Sequence, residues 1–266
     1  MLVIGELING MFRDVAKAIQ NRESDVIQHL AEEQVKAGAS VLDVNVGPYS
    51  KAPKADMRWL VESIQKATDA GLCLDSTRSD CIEEALKVAK SRCIINSASA
   101  DDMKMEAIFS LAKKYKAQVI GITMDKSGVP NTKEKRVELA AKIVAKAMDF
   151  GISAEDLFLD PILLPINVGQ DQERTIIESI REFRQLCTPA PNTLVGLSNI
   201  SQGAKTRSIL NRTFLAMAMA NGLTAAILDP LDKELMDALI TAELILNRNI
   251  YCDSFLEAHR KKPDGV

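Results

Sequence analysis

The stretch Val41-Leu-Asp-Val-Asn-Val46 decides the fold, because apolar and polar side chains alternate along it from Leu42 onward. Successive side chains of a β-strand point to opposite faces, so Leu42, Val44 and Val46 share one face while Asp43 and Asn45 share the other. The stretch Leu72-Cys-Leu-Asp-Ser-Thr77 repeats this arrangement, with Asp75 and Thr77 opposite its two leucines. Both stretches are therefore predicted to be strands whose aliphatic face meets helices and whose other face ends in polar groups.

Six further strand-like runs occur, and helix-like segments with apolar residues every three or four positions separate them. Eight such repeats in 266 residues predict an α/β fold, a (β/α)8 TIM barrel, with an open doubly wound sheet as the alternative. We expect one domain over residues 1–262 and a C-terminal tail over 263–266. The predicted strands are Leu2–Glu6, Val41–Val46, Leu72–Thr77, Cys93–Ala98, Gln118–Asp125, Leu157–Ile162, Thr193–Asn199 and Ala225–Asp229, and the clearest helices are Glu23–Lys36, Asp56–Ala70 and Lys133–Phe150.

Composition excludes several classes of protein. A net charge of -3 and an aromatic content of 4% argue against nucleic-acid binding. The sequence has neither the basic, apolar start of a signal peptide nor an apolar run of membrane-spanning length, and its five cysteines are dispersed. We therefore expect a cytoplasmic protein with reduced thiols. Neither of its two histidines has a ligand partner at useful spacing, so no bound metal is predicted.

Polar residues fall at the C-terminal ends of the predicted strands with one parity, which in a barrel converges them on the mouth where barrel enzymes keep their active sites. Any one of them, such as Asp125 or Asp229, is equally well explained as a cap of the following turn, but capping requires no common parity. Acceptors dominate the set, so it suits a ligand rich in N–H donors, such as a guanidine-like heterocycle edge. A hard divalent cation is the open alternative, although no metal motif is present.

The ordered motifs of the chain resemble the pterin-binding barrel family, which includes dihydropteroate synthase, the folate module of cobalamin-dependent methionine synthase and the methyltetrahydrofolate–corrinoid methyltransferases. The likeness is greatest to the stand-alone methyltransferases that serve a corrinoid/iron–sulfur protein. Dihydropteroate synthase matches less well, because its Asp-Ser-Phe-Ser loop and its catalytic Lys after the seventh strand have no counterparts here. The motifs are Gly5-Glu-Leu-Ile-Asn9, Leu42-Asp-Val-Asn-Val-Gly47, Leu74-Asp-Ser-Thr77, Ile95-Asn-Ser97, Asp160-Pro161, Gly196-Leu-Ser-Asn-Ile-Ser201 and the run 211–220.

The resemblance implies roles for individual residues. Asp160 would accept from the pterin 2-amino group and N3–H, while Asp75 and Asn96 would address the reduced ring edge. Asn199 is implied as the catalytic residue, which reaches N5 of methyltetrahydrofolate and stabilises its protonation by solvent as the methyl group leaves. The other substrate-binding residues implied are Gly196 and Ser198, and a secondary network or partner contact is expected from Glu6, Asn9, Asp43, Asn45, Gln202 and Arg207.

The implied reaction transfers the N5-methyl group of methyltetrahydrofolate to the cobalt(I) of a corrinoid protein, as in acetyl-CoA synthesis of the Wood–Ljungdahl type. Neither histidine fits an Asp-x-His-x-x-Gly cobalamin signature, so the corrinoid is expected on a partner protein that docks on the loops Gly47–Lys54, Pro165–Asp171 and Ser201–Arg207. The family also implies a homodimer. Three alternatives stay open: another pterin-dependent transferase, a demethylase-system enzyme running towards methyltetrahydrofolate, and a non-catalytic binding barrel.

Overall fold

Eight parallel strands follow one another around a closed barrel in chain order, in a computed structural model that describes residues 1–260. The first strand pairs with both the second and the eighth, which closes the sheet. The predicted (β/α)8 barrel is confirmed and the open sheet is excluded; the predicted tail at 263–266 and the domain end at 262 lie outside the described residues. The strands are β1 (Leu2–Gly5), β2 (Val41–Val44), β3 (Gly71–Asp75), β4 (Cys93–Ser99), β5 (Gln118–Ile122), β6 (Leu157–Asp160), β7 (Asn192–Gly196) and β8 (Ala225–Leu228).

The helices surround this barrel, and three of them begin at side-chain caps that their sequences provide, those of Asp101, Thr132 and Asp232. Asp101 accepts from the N–H of Met103 at 3.1 Å, and Thr132 accepts from the N–H of Lys135 at 3.2 Å. None of the described helices is long and apolar enough to cross a membrane. The helices are α1 (Arg13–Asn21), α2 (Ser24–Lys36), α3 (Pro53–Ile64), α4 (Ser79–Leu86), α5 (Asp102–Tyr115), α6 (Lys133–Asp149), α7 (Ile166–Gly169), α8 (Glu173–Phe183), α9 (Arg207–Ala220), α10 (Lys233–Ile245) and α11 (Phe255–Arg260).

Strand alternation divides the apolar residues into two layers. The outward-facing residues join the helices in one large core, whereas the inward-facing residues form a separate cluster that fills the barrel. Five of its buried members lie two positions before a predicted polar end, and Leu194 and Ala225 lie four positions before one, so these seven have the parity expected from the sequence. The inward face of β5 carries Ile120 and Ile122 instead, so the inward parity predicted for Asp125 is wrong. The buried members of the inward cluster are Ile4, Val41, Cys73, Ile94, Ile120, Phe158, Leu194 and Ala225.

Seven of the eight strands end earlier than the sequence predicts, and the difference is largest, three residues, at β5 and β7. β5 ends at Ile122, and Asp125 lies beyond it in a turn bridged to Gly128. β7 ends at Gly196, where the chain turns into a short 3₁₀ helix, Leu197–Ser201. Alternation therefore stops at these points, and the residues that follow are placed by their loops.

The loops after β1 and β2 meet in backbone contact, which only glycine allows. The N–H of Gly10 donates to the carbonyl of Asn45 at 2.8 Å. Gly47 has a φ of +73°, and a Cβ at this position would lie 2.5 Å from the carbonyl of Gly10. This contact sets the position of the β2 loop over the mouth.

Gly47→Ala is expected to lower the free energy of unfolding by roughly 2 kcal/mol or more, because a left-handed conformation costs an L-residue ~1–2 kcal/mol and the clash with Gly10 adds to it. Gly151→Ala is the matched control, since Gly151 has a φ of +78° but open space at its Cβ position. Denaturant unfolding measures both variants. Equal losses in the two would contradict the close approach of the loops.

Candidate functional site

Polar side chains from most strands converge at the C-terminal mouth of the barrel, and hydrogen bonds join them across strands. Asn45 Nδ2 donates to Asp75 Oδ2 at 2.6 Å, Asn96 Nδ2 donates to Asp43 Oδ1 at 3.4 Å, and Ser198 Oγ donates to Glu6 Oε1 at 2.6 Å. These contacts span up to 192 positions of sequence. The structure thus brings six of the candidate residues into direct contact.

Asp43 lies at the base of the mouth and is 3% exposed. Burial, and after it the charge of Asp75, raises the pKa of Asp43 well above its usual range. The thiol of Cys73, the residue paired with Asp43 on the neighbouring strand, hydrogen-bonds to Asp43, a contact that the sequence analysis missed. The available signal was position, because Cys73 has the inward parity of Asp75. Burial and the neighbouring charge of Asp75 both disfavour the ionised form of Asp43.

Asn45 orients Asp75 and is itself held by backbone groups. Its Oδ1 accepts from the N–H of Gly47 at 2.7 Å, so its amide nitrogen is directed to Asp75. Asn9 pairs with Asn45 in a parallel bridge, and its own side chain accepts from the N–H of Met11. Burial raises the pKa of Asp75, and the bond from Asn45 partly opposes that rise.

Asp160 has one carboxyl oxygen bonded and one open to the mouth. Oδ1 accepts from the N–H of Ile162 at 2.7 Å. Within residues 1–260, no donor reaches Oδ2. Burial raises the pKa of Asp160 to about 7, and the Ile162 N–H opposes that rise only in part. This carboxyl is therefore an unsatisfied acceptor to which a ligand with N–H donors can bind.

Glu6 and Arg207 hold the turn that follows β7. Glu6 accepts from Ser198, while Arg207 donates through Nε to the Ser201 hydroxyl at 3.1 Å and through Nη2 to the Ser198 carbonyl at 3.5 Å. Burial raises the pKa of Glu6 to about 6, a rise that the Ser198 bond opposes and the charge of Asp229 increases. Arg207 supports the loop in the structure, a role that the sequence analysis did not assign to it.

Asn199 lies at the tip of this turn with an exposed side chain. A Cβ on Gly196 would lie 3.1 Å from Asn199 Nδ2, so the absence of a side chain at Gly196 leaves room for the amide. Among the described residues, none hydrogen-bonds to the Asn199 side chain. Its amide is free to donate to a ligand, whereas exposed Gln202, the next predicted residue, contributes only its N–H to the Asn199 carbonyl.

Two strand-end aspartates are turn caps, as the alternative explanation held. Asp125 accepts from the N–H of Ser127 at 2.8 Å, and Asp229 accepts from the N–H of Leu231 at 2.9 Å. Within residues 1–260, no three His, Cys, Asp or Glu side chains are grouped closely enough to hold a metal ion. The mouth is thus a site of acids and amides that offers mainly acceptors.

The sequence of this chain is similar to those of a known family and of named relatives. Residues 12–229 match the family described as "Pterin binding enzyme". The whole chain is 27% identical to the "Methylcorrinoid:tetrahydrofolate methyltransferase" of Eubacterium limosum, with 98% of that relative covered. Over 85% of its length it is 29% identical to "Methionine synthase" of Mycobacterium tuberculosis, of which it spans 20%.

Solved structures of low sequence identity share the fold. The 7,8-dihydropteroate synthase of Vibrio fischeri superposes with a TM-score of 0.71 at 18% identity, over 94% of each chain. A Yersinia pestis dihydropteroate synthase with a pterine–sulfa conjugate gives a TM-score of 0.66 at 18% identity, over 92% of this chain and 94% of that one. These likenesses establish the barrel architecture.

Asp160→Asn is expected to stabilise the fold at pH 7.5 by roughly 1–4 kcal/mol, with a gain that disappears towards pH 4. The folded wild type holds its proton up to a pKa of about 7, above the unfolded value, so its stability falls as the pH rises through that window and asparagine avoids the loss. Asp80→Asn is a control of opposite sign, because Arg78 and then Lys54 hold the pKa of Asp80 low. Denaturant unfolding from pH 4 to 7.5 measures both, and a gain for Asp160→Asn that does not vary with pH would contradict the assignment.

Proposed function

The chain belongs to the pterin binding enzyme family, and on that premise we propose that it transfers a methyl group between the N5 atom of a reduced folate and a corrinoid held by a partner protein. The observation that carries the proposal is the acceptor-rich mouth, with the free Oδ2 of Asp160 at its centre. The full-length relative named methylcorrinoid:tetrahydrofolate methyltransferase supports the choice of substrates.

The donor pattern of a pterin complements this mouth. Its 2-amino group and N3–H form a planar pair of donors, which a carboxylate accepts as two charge-assisted hydrogen bonds. We assign this pair to Asp160, and the reduced ring edge to Asp75 and Asn96. Ser198 and Gly196 border the flat face of the ring, where the missing side chain of Gly196 leaves space.

Asn199 is the residue that we assign to the reacting atom. A methyl group that leaves N5 transfers to the nucleophilic corrinoid without the N5 bonding electrons, so N5 keeps that electron pair and must gain a proton. An amide stabilises the protonated centre by hydrogen bonding but is no acid, so the proton comes from solvent. Such catalysis is electrostatic preorganisation around N5, and the free amide of Asn199 supports it.

Large apolar side chains are exposed on the loops and helix starts that follow the strands, which supports docking of the corrinoid partner there. Tyr49 is 81% exposed and Val168 is 76% exposed, in two of the predicted docking segments. Exposed apolar residues grouped around a polar site are typical of an interaction surface. The rim is formed by Met11, Phe12, Tyr49, Met103, Val168, Ile209 and Leu231.

Dihydropteroate synthase activity is the second candidate, and the solved structures of that enzyme share only the fold at 18% identity.

The direction of methyl transfer is a finer part of the proposal. We propose transfer from methyltetrahydrofolate to the corrinoid, as in acetyl-CoA synthesis, whereas the name of the Eubacterium limosum relative places the corrinoid as donor.

An anaerobic assay tests the function directly. The protein is mixed with cob(I)alamin and methyltetrahydrofolate, and methylcobalamin is followed by its absorbance; the reverse mixture of methylcobalamin and tetrahydrofolate is run in parallel. Transfer in either mixture supports the function, and their relative rates give the direction. Binding of tetrahydrofolate without transfer in either mixture would contradict it, and formation of dihydropteroate from p-aminobenzoate would favour the second candidate.

Asp160→Ala is expected to weaken tetrahydrofolate binding strongly, because each charge-assisted hydrogen bond contributes roughly 1.5–3 kcal/mol. Asp229→Ala is the matched control, since Asp229 also precedes a proline and accepts the N–H two residues on. Calorimetric titration measures both dissociation constants. An unchanged dissociation constant in Asp160→Ala would leave Asp160 as a turn cap only.

Asn199→Ala is expected to slow methyl transfer by about 10²–10³-fold with a smaller change in folate affinity, because one preorganised hydrogen-bond partner of the transition state is lost. Asn21→Ala, an exposed asparagine at the far end of α1, is the control. Stopped-flow absorbance measures the rate of methyl transfer to cob(I)alamin in the wild type and in both variants. A wild-type rate in Asn199→Ala would remove Asn199 from the mechanism.

A further inference from the structure

We propose that Arg136, a wholly buried residue of α6, is a positioning residue for Asp160 and acts through the backbone of Pro161. This inference rests on the proposed function, since it concerns the carboxyl to which we assign the pterin. Arg136 does not itself contact Asp160. Its Nε donates to the carbonyl of Pro161 at 3.1 Å, directly behind the strand end.

Buried partners hold the polar backbone groups around Asp160. The Asp160 carbonyl accepts from the N–H of Thr123 at 3.0 Å and from its hydroxyl at 3.1 Å. The next carbonyl, of Pro161, accepts from Arg136. The next N–H, of Ile162, donates to Asp160 Oδ1. Thr123 and Arg136 are both 0% exposed, so the segment is clamped from the β5 and α6 sides by groups that water does not reach.

The clamped segment contains a strained residue at the position that orients the carboxylate. Ile162 has a φ of +63°, a left-handed conformation that is rare for a β-branched side chain. Such conformations persist only where the surroundings enforce them, and they occur preferentially at functional sites. The Ile162 N–H donates to Asp160 Oδ1 directly before this strained bond, so the turn that orients the carboxylate is joined to a conformation that needs outside support. Arg136 provides a side-chain hydrogen bond to this turn, at the carbonyl of Pro161.

A stabilising role alone does not explain a buried guanidinium at this position. Among the residues that the structure describes, Nη1 reaches only a long contact of 3.4 Å to Gln172, and Nη2 has no partner. Glu173 provides the opposite charge, yet both of its carboxyl oxygens are buried and unbonded, and no direct ion pair joins it to Arg136 within the described residues. Apolar residues commonly replace a whole buried ion pair without loss of stability, whereas the removal of one charge alone leaves the other unpaired and is destabilising. An apolar residue at position 136 would not donate the hydrogen bond to the Pro161 carbonyl.

The expected consequence concerns binding geometry. Planar two-point recognition requires a carboxylate held within about 0.5 Å and 10–20° of its productive position. Releasing the Pro161 carbonyl allows the strained turn to relax and rotates the Asp160 carboxyl away from that position. Arg136 is thus expected to affect folate affinity from a site that the ligand never contacts.

The test is a double-mutant cycle on tetrahydrofolate affinity, measured by calorimetry. Arg136→Met is expected to raise the dissociation constant roughly tenfold in the wild-type background and to have little further effect in Asp160→Ala, because both changes then remove the same interaction. Lys142→Met is the matched control: Lys142 also lies on α6 and donates to a backbone carbonyl, that of Ala100, in another loop. It is expected to leave the affinity unchanged.

Thr123→Val provides a second variant if Arg136→Met does not fold, since it removes one hydroxyl from the same clamp and should weaken binding in the same Asp160-dependent way. Equal weakening by Arg136→Met in both backgrounds, or none in either, would overturn the proposal and leave Arg136 a structural residue. If the wild type itself does not bind tetrahydrofolate, the proposed function fails instead. The two failures are distinguishable because the wild-type titration comes first.

Discussion

Three carboxyl groups, those of Asp43, Asp75 and Asp160, are withdrawn from water at the barrel mouth, and within residues 1–260 no lysine or arginine bonds to them. Desolvation raises the pKa of each one. These carboxyl groups have acceptor atoms without hydrogen-bond donors, which determines the class of ligand. A neutral heterocycle with several N–H groups can bind to them, whereas a phosphate would be repelled. The same need for donors explains why amides, from Asn45 and Asn96, are their bonded neighbours.

Strand alternation is the part of this arrangement that the sequence could predict. Parity placed Asp43, Asp75 and Asp160 on the inner face, and the structure confirms that the residues two positions before these three aspartates fill the barrel. Parity fails where a strand ends early, as it does before Asp125 and after Gly196. Loop geometry then places the side chain, and a single sequence does not determine where pairing stops.

Other contributions have no local pattern to reveal them. Arg136 occupies an ordinary helical position, and its effect passes through a carbonyl 25 residues away. In the sequence, Cys73 is indistinguishable from the other apolar residues of β3. Only the structure shows that its thiol contacts Asp43. Arg136 and Cys73 each support a residue of the site. The mouth therefore consists of residues that face the ligand and residues that hold them in place. The residues that face the ligand follow from strand parity, and those that hold them follow only from packing.

Proton release on ligand binding tests most directly whether a buried, unsatisfied Asp160 recognises the pterin. Tetrahydrofolate is titrated at pH 6.5 by calorimetry in buffers of different ionisation enthalpy, with wild type and Asp160→Asn side by side. Asp160, with its raised pKa of about 7, is mainly protonated when free and ionises as it accepts the two pterin donors. The account predicts that the wild type releases more protons than Asp160→Asn. Equal proton counts in the two proteins would contradict it.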